Sequence, residues 1–145
     1  DGRSNLLRAL LVCCDDDVLR EATKIVLKRA SKSDLICGLW AAAQVRPDTA
    51  LLKTIGKLIK SSSPQVRAAA YLAVGGQKLN DFEDRLVRRF RSEKNLVRIC
   101  CGWALSELRD ETYEGEANPE EFIRALLPDN HLREGHLEAR RRRQR

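Results

Sequence analysis

Lys53, Lys57 and Lys60 follow one another at spacings of four and three residues. On an α-helix that spacing gathers the three ammonium groups within about 60° of one another. Leu51, Ile55 and Ile59 fall on the opposite side of the same segment, and Asp48 is its one acid, so the lysines have no carboxylate partner along their own helix. Shifted by 31 residues, Arg88 falls on Lys57 and Arg91 on Lys60, with Arg85 and Arg89 beside them, and Lys24 and Lys28 extend the row in the other direction. A ladder of cations across neighbouring helices can track a phosphate backbone or the acidic face of a protein. The competing reading is a solvated outer face that keeps the molecule soluble. Asp81 and Asp84, each four residues before an arginine (Arg85 and Arg88), support it as i, i+4 ion pairs. No aromatic residue interleaves with the cations, which argues against a base-stacking platform for single strands. A second cluster, Arg140, Arg141, Arg142 and Arg143 with Arg145, reads as a nuclear-localisation or nucleic-acid tail, or as a partner for the acidic residues 110–121.

The remaining reactive side chains point to no catalytic chemistry. Five cysteines, Cys13, Cys14, Cys37, Cys100 and Cys101, include no CxxC spacing, and adjacent cysteines on a helix point about 100° apart, which spoils a shared metal face. They read as small core residues of a reducing compartment. His131 and His136 both lie near the end of the chain, far from those thiols. Nucleophile elbows, glycine-rich phosphate loops and HExxH pairs are all absent from the sequence. The expectation is a protein that is not an enzyme, with no metal and no cofactor.

Charge is unevenly distributed. The whole chain carries +6, but residues 1–109 hold 20 Lys and Arg against 12 acids, residues 110–129 hold one against seven, and residues 130–145 six against two. A basic body, an acidic segment and a basic tail permit an acidic or phosphate-bearing partner. At 145 residues and 43% hydrophobic the chain can bury one contiguous core, and its Ala, Leu, Arg, Lys and Glu content favours helices. No apolar run approaches the roughly 20 residues that span a bilayer, so an intracellular, cytoplasmic protein is expected, or a nuclear one if the arginine tail is native. The first residue is Asp1, which fits a fragment or a processed product.

The elements that must carry these residues follow from turns and caps. Helices are expected over 4–14, 16–30, 34–45, 48–60, 64–75, 80–91 and 95–109, separated by Asp15–Asp17, Ser31–Asp34, Arg46-Pro47, Ser61–Ser63, Gly75-Gly76 and Ser92–Asn95. Their apolar faces open at Leu19, Leu35, Leu51, Val66, Phe82 and Val97, at successive differences of 16, 16, 15, 16 and 15. Two helices therefore fill about 31 residues. Under that shift Leu35, Val66 and Val97 coincide, as do Gly38, Ala69 and Cys100, and Ala42, Ala73 and Ala104. The last two columns are small residues four apart, which admit a neighbouring helix closely. The helices 34–45, 64–75 and 95–109 are apolar nearly all round and should be sandwiched; the alternating ones are amphipathic and should face solvent. A fixed period with alternating helix types predicts an all-α fold, an α-α superhelix of three to four helical hairpins. Residues 1–109 form the repeats in this reading. Residues 110–129 add an acidic loop and a C-terminal capping helix opened by Asn118-Pro119, and residues 130–145 a mobile basic tail. The apolar face of residues 4–14 would stand uncovered at the first end, which favours a longer solenoid or a dimer.

The stretches Val66-Arg67-Ala-Ala-Ala-Tyr-Leu-Ala-Val-Gly and Val97-Arg98-Ile-Cys-Cys-Gly-Trp-Ala-Leu resemble the second helix of HEAT-type repeats, in particular the short class of roughly 30 residues found in phycobilin lyases. The resemblance covers residues 4–109 and rests on the period and on the Val-Arg-x-x-Ala pattern. Two positions depart from it. Ser61–Ser63 and Ser92-Glu93 stand where the family has Asp in the preceding turn, and Leu35-Ile36 stands where Arg is expected. The resemblance implies a right-handed HEAT-like solenoid that works as a protein-protein interaction scaffold. Lys53, Lys57, Lys60, Arg85, Arg88, Arg89 and Arg91 are its candidate binding residues, and its expected partner is a protein, acidic in character. The alternative is nucleic-acid backbone binding through the same residues. A second alternative is an enzyme of the phycobilin-lyase or glycosylase kind. HEAT-like alkylpurine DNA glycosylases place tryptophans and an acid in a concave groove, which makes Trp40, Trp103 and Glu107 groove candidates, against their plainer reading as core and surface.

Overall fold

The computed structural model describes residues 15–29, 31–115 and 121. The expected helix over 4–14, the capping helix, the arginine tail, both histidines and Cys13 and Cys14 lie outside them. Among the described residues there are six α-helices and no strand: α1 (Asp16–Leu27), α2 (Lys32–Ala42), α3 (Thr49–Leu58), α4 (Pro64–Gly76), α5 (Glu83–Ser92) and α6 (Asn95–Leu108), with a 3-10 turn, Asn80–Phe82, leading into α5. Each of the first four helices is started by a side chain. Asp15, Ser31, Asp48 and Ser63 accept hydrogen bonds from the amides of Val18, Asp34, Leu51 and Val66, satisfying amides that have no partner within the helix. Ser31 is why α2 begins at Lys32, two residues before the break at Asp34 suggested. The sixth expected helix, 80–91, is divided because Asn80–Phe82 winds as a tighter turn before the α-helix proper begins at Glu83.

The helices pack in two rows. α2, α4 and α6 pack side by side, the α4–α6 contact being the most extensive in the molecule, and α1, α3 and α5 pack against α2, α4 and α6 respectively. Burial follows the same division. In α4 every residue from Ala68 to Gly75 is buried, whereas in α3 only Leu51, Ile55 and Gly56 are. The core runs through Leu39, Trp40, Leu51, Ile55, Ile59, Tyr71 and Leu86, all fully enclosed. Two small-residue columns line the seam of the inner row: Ala69, Ala73, Cys100 and Ala104 have no exposed surface. Gly75 belongs to that seam too. A Cβ there would stand 2.6 Å from Trp103 Cζ3 and 3.0 Å from Ala104 Cα, so the closest approach of α4 and α6 depends on a missing side chain.

Polar links join helices of the same row. Lys24 of α1 reaches Asp48 at the start of α3, at 2.7 Å, and also pairs with Glu21. It is therefore consumed in holding two outer helices together and does not extend the cationic row. At the other end of the hairpins α4 and α6 close in the same way. Lys78 and Asp110 both take left-handed backbone conformations, φ 50° and 53°. Leu79 and Glu111, one residue further on, return their amides to Val74 and Ser106. These are Schellman caps built on non-glycine residues, and the two left-handed residues pair with each other from the ends of α4 and α6, Lys78 Nζ to Asp110 Oδ1 at 2.5 Å.

Candidate functional site

α3 and α5 lie side by side over a shallow surface groove with two connected troughs. The first, of about 440 Å³, has Leu52, Gly56 and Phe82 among its lining and carries Lys53, Lys57, Lys60 and Arg85 on its rim. The second, of about 280 Å³, is bounded by Lys60, Arg85, Arg88 and Arg89, with Ile59 and Ser92 beneath. Lys60 and Arg85 belong to both, so the two troughs form one continuous furrow. Its described lining contains no acid. The groove arises from the amphipathic faces. Leu51, Ile55 and Ile59 turn one side of α3 into the core, and Phe82 and Leu86 do the same for α5. The opposite faces are left to the cations. Gly56 has no side chain to fill the space between the helices: a Cβ there would stand 2.9 Å from Arg85 Nη1 and 3.3 Å from Phe82 Cε1.

Among the described residues, Lys53, Lys57, Lys60, Arg85, Arg88, Arg89 and Arg91 form no ion pair within 4 Å. The pairs suggested by spacing, Asp81 with Arg85 and Asp84 with Arg88, do not close. Asp81 sits in the 3-10 turn and not one α-helical turn below Arg85. Arg85 instead lies over the Phe82 ring, 5.2 Å from its centroid. Asp84 and Arg88 are both exposed, where such a pair is worth little against side-chain entropy. Glu83, the third acid at this end of α5, is taken by Arg109 of α6 at 2.6 Å. Arg91, included with the stripe by the 31-residue shift, is exposed but does not line either trough.

The tryptophan and acid candidates do not assemble a second site. Trp40 is fully buried in α2 and reaches no groove; it is a core residue. Trp103 is half-buried, stacked against Gly75 at the α4–α6 seam. Glu107, also half-buried, faces the charge of Lys78 near the ends of α4 and α6 and lines neither trough. Among the described residues no group of three or more His, Cys, Asp or Glu could hold a metal ion. Cys37, Cys100 and Cys101 are buried, and burial pushes the thiols of Cys100 and Cys101 up to about 12, far from a reactive thiolate. No described helix is long and apolar enough to cross a membrane.

One polar cluster was not anticipated from sequence. Glu93, in the turn before α6 and only 7% exposed, accepts two hydrogen bonds from Arg67 of α4, at 2.8 and 2.9 Å, and one from the Tyr71 hydroxyl at 2.5 Å. Arg67 also donates to the Ser61 carbonyl, 2.9 Å away. Burial alone would raise the Glu93 carboxyl, but the hydrogen bonds from Arg67 and Tyr71 and the guanidinium charge outweigh it and hold the group below its usual range. Burial, then donation to Glu93, pushes the Tyr71 hydroxyl well above its ordinary value. The cluster ties the turn before α6 to α4. Its signal was present as the Ser92-Glu93 departure in the turn, since an acid there lies within reach of an arginine 26 residues earlier.

Set against known proteins, the chain matches no family model, no curated sequence and no solved structure.

Proposed function

We propose that the chain is a HEAT-like α-solenoid, a right-handed superhelical stack of helical hairpins, and that it is a non-enzymatic interaction module whose α3–α5 groove holds an acidic segment of a protein partner. The two rows of helices, the repeated Schellman caps and the Arg67–Glu93 link between repeats support the architecture. The observation that carries the function is the groove itself: six cations, with no ion pair among the described residues, converge on one furrow that has no acid in its described lining. Like charges gathered on one surface cost stability through self-repulsion, and an anionic partner would relieve it. A protein segment fits better than a nucleic acid because the floor contains Leu52 and Phe82, which give an apolar side chain something to bury and give a phosphate backbone nothing. The row of cations alone favours the second reading, nucleic-acid backbone binding.

The test is fluorescence anisotropy at about 50 mM salt with a labelled decaglutamate peptide, a 20-base-pair duplex and a single-stranded 20-mer, using the wild type and the double variant Lys57→Glu, Arg88→Glu. The proposal expects peptide binding that weakens as salt is raised and falls at least tenfold in the double variant. Tighter binding of either nucleic acid, with a steep linear dependence on log salt, assigns the groove to the second reading. Peptide binding unchanged by the charge reversals removes the groove from the function altogether.

A further inference from the structure

The groove is chemically graded along its length, and Arg85 marks the change. At the Thr49 end the trough is lined by Leu52, Gly56 and Phe82. At the Ser92 end Lys60, Arg85, Arg88 and Arg89 crowd together with little apolar surface besides Ile59. Arg85 stands at the junction and is held from two sides. Its guanidinium lies over the ring of the buried Phe82, 5.2 Å from the centroid. Nη1 also occupies the space that a side chain at position 56 would need, 2.9 Å from where that Cβ would be. An arginine laid on an aromatic face keeps its planar fork free at the edge while its stem loses freedom in advance, which favours bidentate capture of a carboxylate. Arg88 and Arg91 show no such support.

From this we infer that Arg85 is a preset carboxylate anchor and that the groove reads a composite motif: an apolar side chain in the Leu52–Gly56–Phe82 trough, adjoining a carboxylate on Arg85, with further acids on the Arg88–Arg89 side. Gly56 is then a specificity-determining residue although it contacts nothing by side chain, because its bareness lets Arg85 lie down and leaves the trough open. The inference rests on the reading of the groove as a site for an acidic protein segment and adds the order of groups within that segment.

Two labelled peptides test it, acetyl-Leu-Gly-Glu-Glu-Glu and the same peptide with Ser in place of Leu. They are compared on wild type, Gly56→Ala, Arg85→Lys and Lys57→Glu, Arg88→Glu. Neither Gly56→Ala nor Arg85→Lys alters net charge, and alanine is the better helix former, so thermal melts should show both folded. The expected result is a fivefold or greater preference of wild type for the leucine peptide. Gly56→Ala should lose that preference, and Arg85→Lys should bind both peptides at least fivefold more weakly. If Gly56→Ala and Arg85→Lys bind as wild type while the charge-reversed variant does not bind, the anchor is overturned and the acidic-segment reading stands. If the charge-reversed variant also binds as wild type, that reading fails with it.

Discussion

A carboxylate as enclosed as Glu93 is tolerable only when its charge is met in place. Arg67 meets it with a two-pronged hydrogen bond and Tyr71 with a third. Removing one member of such a buried pair typically costs about 3–5 kcal/mol, because the other charge is left uncompensated. Glu93→Gln should therefore lower the unfolding free energy by about 3 kcal/mol at pH 7, measured by urea titration. The pH dependence has a defined sign. Glu93 is held below its ordinary value in the folded protein, so its contribution is fully present above the unfolded carboxylate range of about 4.3. It is lost as pH falls through the lower folded value. The difference between wild type and Glu93→Gln should shrink steadily below about pH 4; a constant difference down to pH 3 would mean that the ionised pair contributes nothing. Sequence had exposed Arg67 within a Val-Arg-x-x-Ala pattern but treated Glu93 as a departure from that pattern. The missing information was reach. Glutamate in a turn spans one methylene further than aspartate, and only the geometry of the turn before α6 shows that it arrives at Arg67.

Among the elements, the inner helices were the most legible. Their small columns, Ala69 with Ala73 and Cys100 with Ala104, were visible under a 31-residue shift, and they lie buried along the inner row. Helix ends were less so, since a local hydroxyl such as Ser31 decides them and not the periodicity. The glycines of the seams separate by what they face. At Gly75 an added Cβ meets the Ala104 backbone as well as Trp103, whereas at Gly38 it stands 2.5 Å from Cδ2 and 2.8 Å from Cγ of the buried Leu27, side-chain atoms only. Overpacking costs roughly 1–3 kcal/mol, and the helix-propensity gain of Gly→Ala is about 1 kcal/mol. Gly75→Ala and Gly38→Ala should thus each be net destabilising, by up to about 2 kcal/mol, the first because backbone must give way and the second because the buried Leu27 must move its branch point. Parallel thermal melts check both, and an unchanged melting temperature for Gly75→Ala would deny that the α4–α6 approach is set by the bare Cα. The groove was legible only in part. The cations could be aligned from sequence, but the floor could not, because Leu52 and Phe82 come from different helices and meet only across Gly56.

For the molecule as a whole, the arrangement separates two tasks. The inner row holds the seam of small residues, while the outer row buries one apolar face and presents, at the α3–α5 groove, cations that form no ion pair among the described residues. Whether the two ends of such an arrangement open together or separately is a testable property. The three buried thiols give that property a chemical clock. Cys37 sits in α2, Cys100 and Cys101 in α6, and α4 between them has none. A thiol reagent can reach these sulfurs only when the surrounding helices part, so labelling followed residue by residue with mass spectrometry times each opening. Two ends that open independently should give Cys37 a different labelling rate from Cys100 and Cys101; one common rate for all three would mean that the stack opens only as a whole. An acidic peptide bound across α3 and α5 would then slow labelling most where those helices cover the inner row. The cysteines would report in real time how far along the molecule occupancy of the groove is felt.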